Sequence, residues 1–143
     1  MKYGPSILPS GAWGQNARQF PKVWKKIREA AIYKADHRCE VCGTEGRVEC
    51  HEEWSFDAVK RIQRLEQIKV LCPACHETQH TGRARMLGRM EQVVAHICKI
   101  NSISQSEAIE AINSAVERAV SMNDIVWSLD IPNSFTGGEL FSL

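Results

Sequence analysis

Four of the six cysteines fall in two C-x-x-C pairs, Cys39-Glu40-Val41-Cys42 and Cys72-Pro73-Ala74-Cys75, with 29 residues between them. Two intervening residues let both thiolates of a pair reach one tetrahedral ion, and Gly43 permits the tight turn beneath the first pair. Together the pairs supply the four ligands of a closed structural zinc site. Disulfides are the rival reading, but nothing in the chain indicates the oxidising compartment they need. A redox C-x-x-C would use one pair and leave the other idle. Cys50 and Cys98 are left over, and Cys98 reads as a small buried hydrophobe in a helical pattern.

The second pair runs directly into His76 and His80 in the segment CPACHETQH. On a helix over 73–80 these imidazoles share a face and can bind one further cation. The plainer alternative is that one caps the helix or is simply exposed. His51 falls in a strand pattern, ahead of the loop Glu52-Glu53-Trp54-Ser55-Phe56-Asp57. Alone, such a histidine is more often structural than catalytic.

The elements that must position these groups follow from periodicity. Residues 1–20 hold Gly4, Pro5, Pro9, Gly11 and Gly14 and read as an extended arm. Pro21 opens a helix over about 22–35 with Val23, Trp24, Ile27, Ala30 and Ala31 on one side. Arg47–His51 and Lys60–Leu71 are the strand candidates, although 55–66 also carries a helical pattern. Pro73 starts the short helix over 73–80, and Gly82 stops it. The next helix, over 84–99, presents Met86, Leu87, Met90, Val93, Val94 and Ile97, and Asn101 ends it. Ser104-Gln105-Ser106-Glu107 is a capping box with Ile103 stapled onto Ala108. The helix it starts carries Ile109, Ile112, Val116, Ala119 and Val120 to about 121. Trp127, Leu129 and Ile131 alternate as a short extended segment. No repeat, low-complexity tract or linker divides the chain, so residues 1–143 read as a single domain.

Strand histidine, loop, returning strand, cysteine pair and histidine-bearing helix form an order that resembles the HNH (ββα-metal) endonucleases. The resemblance rests on CEVCG, VECHEEW and IKVLCPACHETQH within residues 39–80. The flanks resemble one subgroup of bacterial and phage HNH proteins, with a tryptophan-containing arm, H-E-x-W after the strand and a W-x-L-D tail at Trp127–Asp130. The resemblance implies an α+β fold: a zinc-stabilised ββα-metal core at 39–82, a basic arm and N-terminal helix at 1–38, and a helical extension at 83–143. It implies DNA cleavage or nicking, in phage biology, restriction or mobile-element maintenance. His51 is then the general base, and His76 and His80 hold a catalytic Mg2+, Mn2+, Ni2+ or Zn2+ beside the structural Zn2+. A neutral imidazole suits proton abstraction near pH 7, and a cation neutralises the scissile phosphate and leaving oxygen.

Two positions depart from the family pattern. The residue before the base, commonly Asp or His, is Cys50, which is either a soft-metal ligand or an inert neighbour. The place of the middle Asn falls on Gln67, with Gln63 as another stand-in. Asp57, Glu52 or Glu53 can restore an oxygen ligand.

Charge is unevenly spread along the chain. Residues 1–38 carry eight Lys/Arg against two acids, residues 39–90 eight against eight, and residues 91–143 two against seven. The basic front suggests a face turned to a polyanion, or a solvated helix face. Lys22, Lys25, Lys26 and Arg28, with Arg83, Arg85 and Arg89, are the expected phosphate contacts. Trp13 and Trp54 either stack on bases or pack in the core. A DNA partner, no membrane and a cytoplasmic location are the expectations, because no apolar run approaches the ~20 residues that span a bilayer. The opening MKYGPSILPSGAWGQ has no secretory h-region. The alternatives are a catalytically impaired zinc module that binds nucleic acid, and an interaction protein whose acidic helical tail docks a partner.

Overall fold

Pro21 suits a first helical turn, where its missing N–H costs no hydrogen bond. The helix it opens, α1 (Pro21–Lys34), buries Val23, Trp24 and Ile27 and leaves Lys22, Lys25 and Lys26 exposed. The computed structural model describes residues 1–13 and 21–136. Gly14, Arg18 and the rest of the arm between Trp13 and Pro21, and residues 137–143, lie outside the described residues.

Strand β1 (Glu49–Asp57) pairs antiparallel with β2 (Ile62–Leu71), and β2 pairs parallel with the short β3 (Ser128–Asp130). The hairpin is longer than the sequence pattern suggests. Residues 52–57 continue the strand instead of looping, and 55–66 is strand and turn instead of helix. Aromatic residues fit a half-buried pleated surface, and Trp54 and Phe56 supply it here. Trp54 packs against the cluster of Trp24, Leu65 and Ile131, and the Phe56 ring meets Trp127 edge-on at 5.0 Å. A β-bulge between Glu53 and Trp54 shifts the register, so that Glu53 faces Gln67 while Trp54 faces Leu65. At the far end Asp57 Oδ1 accepts the backbone N–H groups of Val59 and Lys60, which closes the turn.

Five further helices follow among the described residues: α2 (Pro73–Glu77), α3 (Thr81–Met86), α4 (Met90–Asn101), α5 (Gln105–Ser121) and α6 (Asn133–Thr136). Two expected helices are cut short. The one from Pro73 ends at Glu77 with Thr78 as its C-cap, and Gly82 sits inside α3 instead of stopping a helix. The pattern over 84–99 breaks at Gly88, whose φ of 68° an L side chain resists. Met86 and Leu87, expected on the apolar face, are consequently 88% and 59% exposed. Beyond the break, α4 and α5 enclose Val93, Ile97, Ala108 and Ile112. The capping box of Ser104 and Glu107 forms as its spacing predicts. The result is a mixed α+β structure with a small three-stranded sheet. Among the described residues no helix is long and apolar enough to cross a membrane.

The arm lies strapped over this body. Asn101 receives the Tyr3 N–H and donates to the Tyr3 carbonyl, and Gln79 donates to the Gly4 carbonyl. Trp13 Nε1 donates to the Trp127 carbonyl at 3.1 Å, so Trp13 anchors the arm. Gln63, expected beside the base, has a different task. It is fully buried, and its amide receives the Trp13 N–H at 2.8 Å and donates to the Trp13 carbonyl at 2.7 Å. Gln63→Ala would leave both backbone groups without partners, so stability should fall by about 1–3 kcal/mol in a denaturant titration. An unchanged midpoint would contradict this clamp.

Candidate functional site

Each cysteine pair makes a compact knuckle because backbone N–H groups turn toward its first sulfur. The Cys42 N–H points at Cys39 Sγ and the Cys75 N–H at Cys72 Sγ. Gly43, at φ 75°, lets the first knuckle close, and Cys72 caps α2. Glu40 then joins the first knuckle to the end of β2. Its N–H donates to the Val70 carbonyl, and its carboxylate receives the Val70 N–H. The knuckles therefore arrive together. One ligand atom from each of Cys39, Cys42, Cys72 and Cys75 lies within 4.8 Å of the others, and Cys42 Sγ is 3.6 Å from Cys72 Sγ. A tetrahedral zinc with Zn–S near 2.3 Å needs sulfurs about 3.8 Å apart, so the set fits the ion. All six cysteines are free, which removes the disulfide reading.

The electrostatics suit metal binding. Burial opposes the Cys42 thiolate, but hydrogen bonds from the Thr44 hydroxyl and backbone and from the Cys39 and Cys72 thiols hold its pKa down at about 6. Burial and the neighbouring sulfurs push the Cys75 thiol far up, so bound zinc must displace a firmly held proton there. His96, on α4, reaches Cys75 Sγ through Nε2 at 3.2 Å. This residue escaped the sequence reading because 21 positions separate it from Cys75 and no motif spacing links them. It places a ring nitrogen against a ligand sulfur, and an N–H there would donate to a metal-bound thiolate, the outer contact that commonly orients and tunes a metal ligand.

A second cluster forms on the hairpin face that carries His51. Adjacent strand residues point to opposite faces. Cys50 accordingly turns its thiol toward the Arg28 carbonyl of α1, at 3.8 Å, while His51 turns toward His76 and His80. Cys50 also lines the cavity around the histidines, but its sulfur is not among the ligand atoms that converge there. The ring nitrogens of His51, His76 and His80 lie within 4.8 Å of one another, and the His76 and His80 Nε2 atoms are 2.9 Å apart. Glu49 stands two residues before His51, on the same strand face, and its Oε1 lies 3.1 Å from His76 Nδ1. That carboxylate fixes the proton on Nδ1 and leaves the Nε2 lone pair facing the cluster, the tautomer a metal ligand needs. The His51 ring is driven down to about pKa 3, first by burial and then by the charged forms of His76 and His80. Burial lowers His80 as well, and the charges of His76 and Arg83 add to the effect.

Other expected site residues go elsewhere. Asp57 lies six residues along β1 from His51, about 20 Å at 3.3 Å per residue, with its carboxylate engaged in the turn. Gln67 faces Glu53 across the hairpin and hydrogen-bonds that carboxyl, whose pKa burial raises. Arg89 is forked onto Glu77 at 2.6 and 3.1 Å and ties the start of α4 to α2. Arg83 and Arg85 are exposed, and Arg83 lines the histidine cavity. Helix α1 meets the hairpin at Cys50, and none of Lys22, Lys25, Lys26 and Arg28 is among the described residues lining the histidine cavity.

No protein-family model, curated protein or solved structure matches the chain. The four-cysteine cluster and the histidine triad together fit a zinc-stabilised ββα-like module.

The zinc site has a direct readout. Purified protein should hold about one tightly bound zinc; Cys75→Ser should unfold it, and His96→Ala should speed zinc transfer to a chelator about tenfold, with His96→Gln restoring part of the retention. Chelator-transfer rates equal in wild type and His96→Ala would contradict the role given to His96. The histidine cluster is read through pH. The unfolded chain protonates His51 near pH 6.5, whereas the folded chain does so near 3. Stability from the neutral ring is complete above about 6.5 and is lost as pH falls toward 3. Denaturant titrations at pH 7 and 4.5 should show a smaller loss in His51→Ala than in wild type.

Proposed function

We propose that the protein is a metal-dependent phosphodiesterase of the HNH endonuclease type, acting on DNA. The observation that carries this reading is the convergence of His51, His76 and His80, with Glu49 holding the His76 tautomer, beside a four-cysteine zinc cluster. A divalent cation held by His76 and His80 would supply the positive charge that the scissile phosphate and leaving oxygen require.

The chain's own residues do the rest. Glu49 Oε1 lies 3.1 Å from His76 Nδ1 and can hold a proton there, which turns Nε2 toward the site. His51 is neutral at physiological pH because its charged form is disfavoured by burial and by its two neighbours. The same effects make the ring a weak base, so the negative charge of a bound phosphate would have to offset them before its nitrogen takes a proton from an attacking water. Cys72 caps α2 and Cys75 lies within it, immediately before His76. Zinc held by the cysteines would thereby fix the angle at which His76 meets β1.

The short distances within the triad favour one variation on this scheme. The His51 ring lies 5.4 Å from each of the other two, whose own separation is 4.6 Å. With all three ring nitrogens so close, His51 can complete a three-nitrogen shell in place of acting as base.

Plasmid nicking by zinc-loaded protein with added manganese, magnesium, nickel or cobalt tests the reading. His51→Ala should slow cleavage by roughly two to four orders of magnitude. His76→Ala should slow it as well, and excess cation should partly rescue that variant alone. If excess cation rescues His51→Ala equally, His51 is a ligand and not the base. Wild-type rates in either variant would remove the residue from the mechanism.

A further inference from the structure

The histidine triad lines a cavity of about 530 Å³ whose walls differ in chemistry. The hairpin contributes His51, Trp54 and Phe56, and the α2–α3 side contributes His76, His80 and Arg83. The remaining wall is the arm, through Ser6, Ile7 and Leu8. That wall is fixed at both ends. On one side Ser6 donates to Gln79 Oε1 at 2.7 Å, and Gln79 also holds Gly4. On the other, Asn123 receives the Ser10 N–H and Gln63 clamps Trp13. The aromatic wall is equally held, since Trp54 is set against the Trp24 cluster and Phe56 against Trp127.

We propose that the substrate of this site is unpaired DNA: a single strand, or an unpaired stretch within a duplex, whose nucleotide beside the scissile phosphate enters the cavity. The inference rests on the phosphodiesterase reading above. Size comes first. The cavity equals a sphere about 10 Å across, in the range of small-ligand pockets, and one nucleotide suits it. A regular duplex does not enter, because the depths of its two grooves alone sum to about 16 Å across the helix. Wall chemistry comes second. Ile7, Leu8, Trp54 and Phe56 among the lining residues offer apolar surface for a base, and His76, His80 and Arg83 can meet phosphate.

Charge agrees with both. Among the described residues that line the cavity, Glu52 and Glu53 stand against one arginine, Arg83, so the site itself offers less positive charge than a duplex calls for. A single strand carries about one charge per 3.4 Å, half the axial density of a duplex.

Labelled DNA in three forms tests this: a single strand, the same sequence in a blunt duplex, and that duplex with a central unpaired bubble. Zinc-loaded protein with manganese should cut the single strand and the bubble at least about tenfold faster than the blunt duplex. Leu8→Asp, at a position 44% exposed and so tolerant of substitution, should raise KM for the single strand several-fold with little change in kcat. Circular dichroism should confirm that this variant is folded. A blunt duplex cut as fast as the single strand, or an unchanged KM in Leu8→Asp, overturns the inference and leaves the phosphodiesterase reading intact. No cleavage of any form with manganese, nickel or zinc removes that reading and the inference with it.

Discussion

Four sulfurs placed to share one tetrahedral ion bring residues 39–42 against residues 72–75, and much of the remaining structure is arranged around that closure. Its magnitude explains its reach. Structural zinc sites bind with about 10–16 kcal/mol, comparable to or larger than the roughly 5–15 kcal/mol by which a whole domain is usually stable. The second knuckle is also the first turn of α2. The first knuckle extends the end of β2 through the paired backbone and side-chain bonds of Glu40 with Val70. A zinc ion held there would fix the geometry between a hairpin and a short helix that has too few residues to be stable alone. His96 extends the same constraint into the helical extension by bonding to Cys75.

The histidine cluster inherits its order from that arrangement. His76 leaves the knuckle immediately after Cys75, and the His76 N–H is bonded to the Cys72 carbonyl. Glu49 and His51 meet it from the same face of β1, two residues apart, while Cys50 between them serves the opposite face. Burial and the mutual repulsion of gathered imidazolium charges disfavour protonation of His51 and His80, which keeps them neutral and available as donors of lone pairs. The fixed arm then encloses the cluster on one side, so the site is a cavity with an apolar wall and not an open ridge.

Features whose cause is local were legible in the sequence. The C-x-x-C spacing, the i, i+4 relation of His76 and His80, the proline start of α1 and the Ser104 capping box each depend on a few adjacent residues. Features whose cause is a distant partner were not. Gln63 and Trp13 are 50 positions apart, and only the folded chain reveals that an amide spacing suggestive of catalysis instead clamps the arm. Asp57 reads as an oxygen ligand until the continuation of β1 carries it to the hairpin tip. Met86 and Leu87 fit a helical apolar face, but the left-handed conformation at Gly88 interrupts that helix and leaves them in solvent. Glu49 could have been found: strand alternation alone puts it beside His51. His96 could not, since nothing in its spacing points to Cys75.

The central claim is that the triad is a cation site distinct from the zinc cluster. Calorimetric titration of zinc-loaded protein with manganese or nickel measures this directly, with His76→Ala as the comparison. The account predicts one additional site per chain in the wild type and its loss or marked weakening in His76→Ala, with the zinc content of both unchanged. No binding beyond the cysteine-held zinc, or equal binding in the two proteins, would contradict it.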